Sequence, residues 1–128
     1  LTVDYSKTRQ QFGSPIGSFQ VLQHRMVDTF MGCEQTKSML YRGLCESKSV
    51  EEGEADAVAL SKTVHALKAT VARYGKTIGE EAIQLHGGIG MTDELNIGHY
   101  VKRLMMINTT FGDGDFHQKK FNQLSYSV

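Results

Sequence analysis

Apolar residues recur every three or four positions between Ala57 and Leu85, and this stripe is the clearest pattern in the chain. Its members are Ala57, Leu60, Val64, Leu67, Val71, Tyr74, Ile78, Ala82 and Leu85. A period near 3.6 residues is that of an α-helix that turns one face towards other helices. The pattern therefore predicts a long helix, which ends at the glycines that follow His86 because glycine is typical of helix C-termini.

A second apolar stripe precedes this helix. It consists of Phe19, Leu22, Met26, Phe30, Cys33, Leu40 and Leu44. The spacing predicts a helix from Phe19 to about Ser47, with Ser18 as its N-cap, since the glycines and proline at residues 13–17 prevent an earlier start. Ser49-Val50-Glu51-Glu52 matches a capping box, a serine followed three positions later by glutamate, and is predicted to open the next helix.

The last third of the chain predicts shorter helices. Thr92 or Asp93 is the expected cap of a third helix that fades near Thr110. Its expected inward-facing residues are Ile97, Val101, Leu104 and Met105. Residues 112–115 have turn composition, and a short helix is predicted from Phe116 to about Leu124. The expected fold is all-α, an antiparallel up-and-down four-helix bundle if this last helix forms, and of three helices otherwise.

Composition excludes several function classes. The chain has 128 residues, enough for one domain, and its 14 basic residues balance 14 acidic ones. No Lys/Arg cluster suggests a nucleic acid or a membrane surface as a partner, and no apolar run approaches the ~20 residues of a membrane span. Cys33 and Cys45, about 18 Å apart on the predicted helix, cannot pair with each other and favour a reducing compartment.

The chain opens with Leu1 and a short polar segment from Asp4 to Phe12, without the features of a signal peptide. We therefore expect residues 1–128 to be one domain cut from a longer protein.

Two places carry candidate chemistry. His86-Gly87-Gly88-Ile89-Gly90 does not fit a dinucleotide-binding loop, because a helix and not a strand precedes the glycines. It is either a helix cap or a close backbone approach to a ligand. Arg9, three residues before Phe12, is either a solvated charge or an anion ligand. Asp113 and Asp115 suit a turn, and the five histidines show no metal-ligand spacing.

Both places resemble one known family. Arg9-Gln10-Gln11-Phe12-Gly13-Ser14-Pro15-Ile16, followed by Phe19-Gln20, resembles the Arg-x-x-Phe-Gly signature of acyl-CoA dehydrogenases. Gln84-Leu85-His86-Gly87-Gly88-Ile89-Gly90-Met91 resembles their Gln-x-x-Gly-Gly-x-Gly segment, and His99-Tyr100-Val101-Lys102-Arg103 follows at family spacing. The resemblance covers almost the whole chain, as the family's C-terminal helical domain.

The resemblance implies an FAD enzyme of lipid metabolism that dehydrogenates acyl-CoA thioesters and passes electrons to an electron-transfer flavoprotein. FAD would lie at a subunit interface, so self-association as a dimer or tetramer is expected. Arg9 would pair with the pyrophosphate, Phe12 would pack against the cofactor, and Gln20 would offer an amide hydrogen bond. The segment that approaches the ADP half would be Gln84, Leu85, His86, Gly87 and Gly88.

The family's catalytic base is not matched, so no catalytic residue is assigned. Many members carry glutamate in a Tyr-Glu-Gly-Thr segment, where this chain has Phe111-Gly112-Asp113-Gly114. The alternatives are Asp113, a glutamate upstream of Leu1, or a heteromer in which a related subunit supplies the base. We expect the 128-residue chain alone to be inactive.

Rival functions are an acyl-CoA oxidase, a nitroalkane oxidase, and a non-catalytic helical assembly subunit. The resemblance and the free thiols suit either the bacterial cytoplasm or the mitochondrial matrix.

Overall fold

The computed structural model describes residues 1–87 and 96–126. Its elements are the helices α1 (Thr2–Thr8), α2 (Gln20–Glu51), α3 (Ala57–His86), α4 (Ile97–Thr109) and α5 (Gly114–Ser125), with a hairpin of β1 (Gln10–Gln11) and β2 (Ser14–Pro15) and a 3-10 turn at Ile16–Ser18. The predicted all-α bundle is confirmed. Among the described helices, none combines the length and hydrophobicity of a membrane span.

Helix α3 is the centre of the bundle, because α1, α2, α4 and α5 all pack against it. Its bounds agree with the predicted stripe, and its last turn contributes Ala82 and Leu85 to the buried core, together with Ile16 and Ile97. The most deeply buried apolar side chains therefore gather around the C-terminal end of α3.

The predicted caps around α2 are wrong. Ser18 does not cap it, because the hydroxyl of Ser18 donates to the Pro15 carbonyl oxygen at 2.7 Å. The helix also passes Ser47, so the proposed capping box at residues 49–52 lies within its C-terminal end. Helix α3 is capped instead by Asp56, whose carboxylate accepts the backbone N–H of Val58 at 3.0 Å.

The face of α2 that packs against α3 also differs from the predicted one. Gly32 and Gly43 are its buried residues, whereas Phe30 is 63% exposed and Leu44 58%. A Cβ atom on Gly32 would lie 2.7 Å from Cδ1 of Tyr74, so the absent side chain is what admits the tyrosine ring. The apolar stripe is rotated by roughly a quarter turn from this contact face.

The C-terminal helices agree better with their patterns. Helix α4 ends at Thr109 and α5 begins at Gly114, close to the predicted bounds. Ile97 is buried, and Val101 and Leu104 lie against Gly79, but Met105 is 67% exposed and the inward prediction for it is wrong. The predicted caps Thr92 and Asp93 lie outside the described residues.

Candidate functional site

A cavity of about 530 Å³ lies where α1 and the hairpin meet the start of α2 and the end of α3. It is lined by Tyr5, Arg9, Gln11, Phe12, Ile16, Phe19, Leu22, Arg25, Gln84, Leu85, His86 and Gly87. Six of the eight predicted site residues are therefore on one cavity, although they come from segments far apart in the sequence. Gln20 is exposed and does not line it, and Gly88 lies outside the described residues.

Arg9 follows α1 directly, and its backbone is fixed on both sides. Its N–H donates to the Tyr5 carbonyl oxygen and its own carbonyl oxygen accepts from Ile16, both at 2.8 Å. Within residues 1–87 and 96–126, no carboxylate forms an ion pair with Arg9. The second lining arginine differs, because Arg25 pairs with Glu81 at 2.7 Å, which raises the pKa of Arg25. Arg9 thus brings an uncompensated charge to the cavity.

Phe12 occupies the tip of the hairpin in a strained conformation. Its φ is 54°, in the left-handed region that a bulky side chain rarely adopts, and its side chain is 94% exposed. Its ring meets that of Phe19 edge to face, with centroids 6.3 Å apart. Because Phe12 also lines the cavity, its exposed ring is a candidate contact for a ligand there.

The C-terminal turn of α3 forms the buried wall of the cavity. Leu85 is 7% exposed and His86 5%. Nδ1 of His86 lies 2.8 Å from the carbonyl oxygen of Ala82, and its ring stacks on Tyr5 with centroids 4.3 Å apart. Gly87 has a φ of 61° and its N–H bonds back to α3, so it does act as a helix cap. Because Gly87 is also exposed, the second sequence alternative, a close backbone approach to a ligand, fits the structure as well.

Several residues that line the cavity were not predicted from the sequence, among them Tyr5, Phe19, Leu22 and Arg25. Phe19 and Leu22 have the spacing of core residues, and Tyr5 and Arg25 stand in no motif. Their places depend on tertiary contacts, and the Arg25–Glu81 pair joins residues on two different helices. The position of Tyr5 one helical turn before Arg9 is a signal that could have been used, because residues four apart share a helix face.

The turn between α4 and α5 lies outside this cavity. Asp113 lines a different cavity, between α2, α3 and α5, and its carboxylate accepts the backbone N–H of Phe116 at 2.8 Å as the N-cap of α5. Gly112 has a φ of 101°, and a Cβ atom there would lie 2.6 Å from Cδ1 of Phe116. A glutamate side chain therefore does not fit at Gly112.

The described residues contain no metal-ligand cluster, and no cysteine is among those that line the cavity. Across the two described ranges, no three His, Cys, Asp or Glu side chains are grouped as metal ligands would be. Cys33 and Cys45 are free and exposed on α2.

Comparisons with known proteins agree on one family. A model described as acyl-CoA dehydrogenase, C-terminal domain, matches residues 1–120. The L-prolyl-(peptidyl-carrier protein) dehydrogenase of a Serratia species is 32% identical over 92% of this chain. Acyl-CoA dehydrogenase IpdE2 of Mycolicibacterium smegmatis is 39% identical over 80% of it. The chain spans 29% of the length of each of these two relatives.

Solved structures give the same result. An FAD complex of PigA superimposes with a TM-score of 0.81 at 28% identity, over 95% of this chain and 30% of the other. A variant of the Tcur3481-Tcur3483 steroid ACAD gives a TM-score of 0.88 at 27% identity, over 98% of this chain and 33% of the other.

Proposed function

Because the chain belongs to the acyl-CoA dehydrogenase family, we propose that it is the C-terminal domain of a longer FAD enzyme and that its cavity binds the ADP half of the cofactor. In this proposal FAD is held mainly by a neighbouring subunit. The observation that carries the proposal is the uncompensated Arg9, which lies beside the exposed Phe12 on an open cavity.

The charges around the cavity suit a pyrophosphate. A guanidinium can form two parallel hydrogen bonds to phosphate oxygens, and none of the described lining residues is Asp or Glu. Phe19, the N-cap of α2, makes no side-chain capping bond, so the positive end of that long helix adds to the attraction for an anion. The donor set therefore fits a diphosphate.

The other lining residues have separate roles in the proposal. Phe12 covers the cofactor, Gln84 presents an exposed amide, and the buried Leu85 and His86 form a wall that excludes water. Gly87 keeps the backbone free of a side chain, a role that we extend to Gly88. We assign Gln20 a hydrogen bond from the first turn of α2, beside the lined cavity.

For the whole enzyme we propose α,β-dehydrogenation of an acyl thioester, with electrons passed to an electron-transfer flavoprotein. Bound FAD supplies the hydride acceptor for this reaction. The IpdE2 relatives support CoA as the carrier of the acyl group, and the Serratia relative supports a carrier protein as the second candidate. The base comes from outside this chain, either from an upstream glutamate or from a related subunit. A bacterial cytoplasmic or mitochondrial location stays a prediction.

We also propose that the domain helps to assemble the oligomer. The exposed apolar flank of α2, which we define as Phe30, Leu40, Tyr41 and Leu44, keeps 46–65% of each residue's surface accessible. Such a patch on one side of a helix is typical of a contact between subunits. We assign it to a second copy of the chain, because the proposed cofactor site itself requires a neighbouring subunit.

The test is the change Arg9→Ala in the full-length protein. Loss of a charge-assisted contact to phosphate should weaken FAD binding by about 10- to 100-fold, read as flavin retained per protein and as the Kd on reconstitution. Lys7→Ala is the matched control, because Lys7 is an exposed cation on α1 that does not line the cavity. Unchanged flavin binding in Arg9→Ala would contradict the proposal and favour the assembly subunit.

A further inference from the structure

The position of Arg9 depends on what holds α1 in place. This helix has seven residues, and helices shorter than about 12 residues have little stability of their own. Arg9 leaves its C-terminal end in extended conformation, with φ −69° and ψ 124°. Any shift of α1 against α3 therefore moves the guanidinium relative to Gln84 and Gly87 on the opposite wall.

The contacts that hold α1 in place include the following two. The first is Ser6, which is 1% exposed and packs so closely beneath Gly17 that a Cβ there would lie 2.9 Å from its Oγ. This contact joins α1 to the 3-10 turn. The second is the stack of Tyr5 on His86, with centroids 4.3 Å apart and ring planes 24° apart, which joins α1 to the end of α3.

The stack is built on a fixed partner. His86 is 5% exposed, and one ring nitrogen bonds to the Ala82 carbonyl oxygen in the preceding turn. Because this bond and the burial together select one ring orientation, His86 offers Tyr5 a rigid platform. Tyr5 in turn lies four residues before Arg9, and its carbonyl oxygen accepts the Arg9 N–H at 2.8 Å.

We infer that Tyr5 and His86 are a positioning pair, whose stacked rings set the place of Arg9 opposite the end of α3. The inference rests on the proposed function, since Arg9 must bind the pyrophosphate for its position to matter. In this arrangement the pair acts on cofactor binding through Arg9. Its contribution should therefore disappear when Arg9 is absent.

The test is a double-mutant cycle in the full-length protein, with the Kd for FAD measured by reconstitution of the apoprotein. Tyr5→Ala should weaken FAD binding on the order of tenfold. Tyr5→Phe, which keeps the ring, should bind FAD with the affinity of the wild type. In the Arg9→Ala background, Tyr5→Ala should add less than about a twofold loss. The Tm of each apoprotein is measured beside the Kd, since a purely structural role changes Tm without this non-additivity.

Each remaining outcome separates the two proposals. If Arg9→Ala weakens FAD binding and Tyr5→Ala does not, the positioning role is wrong and the proposed function stands. If the tenfold loss is the same in both backgrounds, Tyr5 acts independently of Arg9 and the inference is again wrong. If Arg9→Ala itself has no effect, both proposals fail. Tyr5→Leu, which keeps apolar bulk on α1 but removes the stacking ring, covers the case that Tyr5→Ala does not fold. It should show the same loss and the same non-additivity with Arg9→Ala, and wild-type FAD affinity in Tyr5→Leu would overturn the positioning role.

Discussion

Asp113 is the acidic residue next to the position where many acyl-CoA dehydrogenases carry their base, and its carboxylate is already engaged. It accepts the Phe116 N–H at 2.8 Å at the start of α5. Asparagine and aspartate are about equally good N-caps, whereas alanine in place of either costs about 1 kcal/mol of stability. The cap and a catalytic charge can therefore be separated by mutation.

If the full-length protein has the proposed activity, Asp113→Asn should keep turnover within about twofold of wild type, because it keeps the cap. Asp113→Ala should lower stability by about 1 kcal/mol, through loss of the cap. Initial rates with an acyl-CoA and an artificial electron acceptor, together with thermal unfolding, measure both effects. A loss of about 100-fold in Asp113→Asn at native stability would instead make Asp113 the base.

At the scale of elements, the contact between α2 and α3 depends on the glycines of α2. Gly32 and Gly43 have different amounts of free space, so substitutions at the two positions can be compared. A Cβ on Gly32 would lie 2.7 Å from the Tyr74 ring, whereas one on Gly43 would meet Leu67 and Thr63 at 3.7 and 3.9 Å, ordinary contact distances. Gly32→Ala should destabilise the protein by about 1–3 kcal/mol through overpacking. Gly43→Ala should be neutral or stabilise by up to about 1 kcal/mol, because alanine favours helix. Chemical denaturation measures both, and equal effects would contradict the assigned contact face.

The contact between α3 and α5 contains a histidine pair that predicts pH dependence. The Nδ1 atoms of His65 and His117 lie 2.7 Å apart, and Nε2 of His117 lies 3.1 Å from the Phe111 carbonyl oxygen. In the tautomer that satisfies both contacts, His117 donates from Nε2 to Phe111 and accepts at Nδ1 from His65. Burial, then His117 and Lys120, lower the pKa of His65 below its ordinary 6.5.

The sign of the effect follows from proton uptake. Below about pH 6.5 the unfolded chain protonates His65 while the folded chain resists it, so the free energy of unfolding falls as the pH falls towards the depressed pKa. We predict that Tm decreases between about pH 7 and pH 5 and that His65→Gln removes part of this slope. His99→Gln, at an exposed position on α4, is the control and should leave the slope unchanged. An identical slope in wild type and His65→Gln would contradict the assignment.

Helices α3 and α2 show which structural features a hydrophobic pattern predicts and which it does not. The extent of α3 could be predicted directly, because its apolar residues recur along the whole helix. The pattern does not give every buried position, since Val64 of the stripe is 44% exposed and the buried Thr63 and Gly79 lie outside it. In α2 the contact face is made by Gly32 and Gly43, while Phe30, Leu40 and Leu44 of the apolar stripe are exposed. Hydrophobicity alone could not distinguish these faces, because α2 approaches α3 closely where glycine provides no side chain.

At the scale of the whole molecule, the candidate site is formed by the residues that follow α1 and by the C-terminal turn of α3. The places of Arg9, Phe12 and Gly87 on the cavity could be predicted because each residue carries local chemistry that matches a family motif. Tyr5 and Arg25 could not, because their stacking and ion-pair partners come from α3 and are adjacent only after folding. The cavity is therefore a property of the bundle, and neither motif is sufficient to form it.

The apolar flank of α2 gives a prediction about assembly. Leu44, the C-terminal member of the flank, is 58% exposed, and a lysine there would place a charge in the proposed contact between copies. We expect Leu44→Lys in the full-length protein to shift the oligomer towards smaller species in sedimentation velocity. Val58→Lys is the control, since Val58 is 48% exposed at the start of α3 and is not part of the flank. The same oligomer in both variants would contradict the assignment.

The 128-residue chain by itself should show no dehydrogenase turnover. Its candidate cavity offers one wall of a cofactor site, and among the described lining residues none is a carboxylate that could remove a proton. Abstraction of a weakly acidic α proton requires both a placed base and donors for the developing oxyanion, and these residues do not supply both. We expect the purified chain to lose FAD on gel filtration and to reduce no artificial acceptor with any acyl-CoA. The full-length protein should retain FAD and reduce the acceptor under the same conditions. Sustained reduction by the chain alone would mean that the base and the thioester site lie within it, and the assignment of the base to another segment or subunit would be wrong.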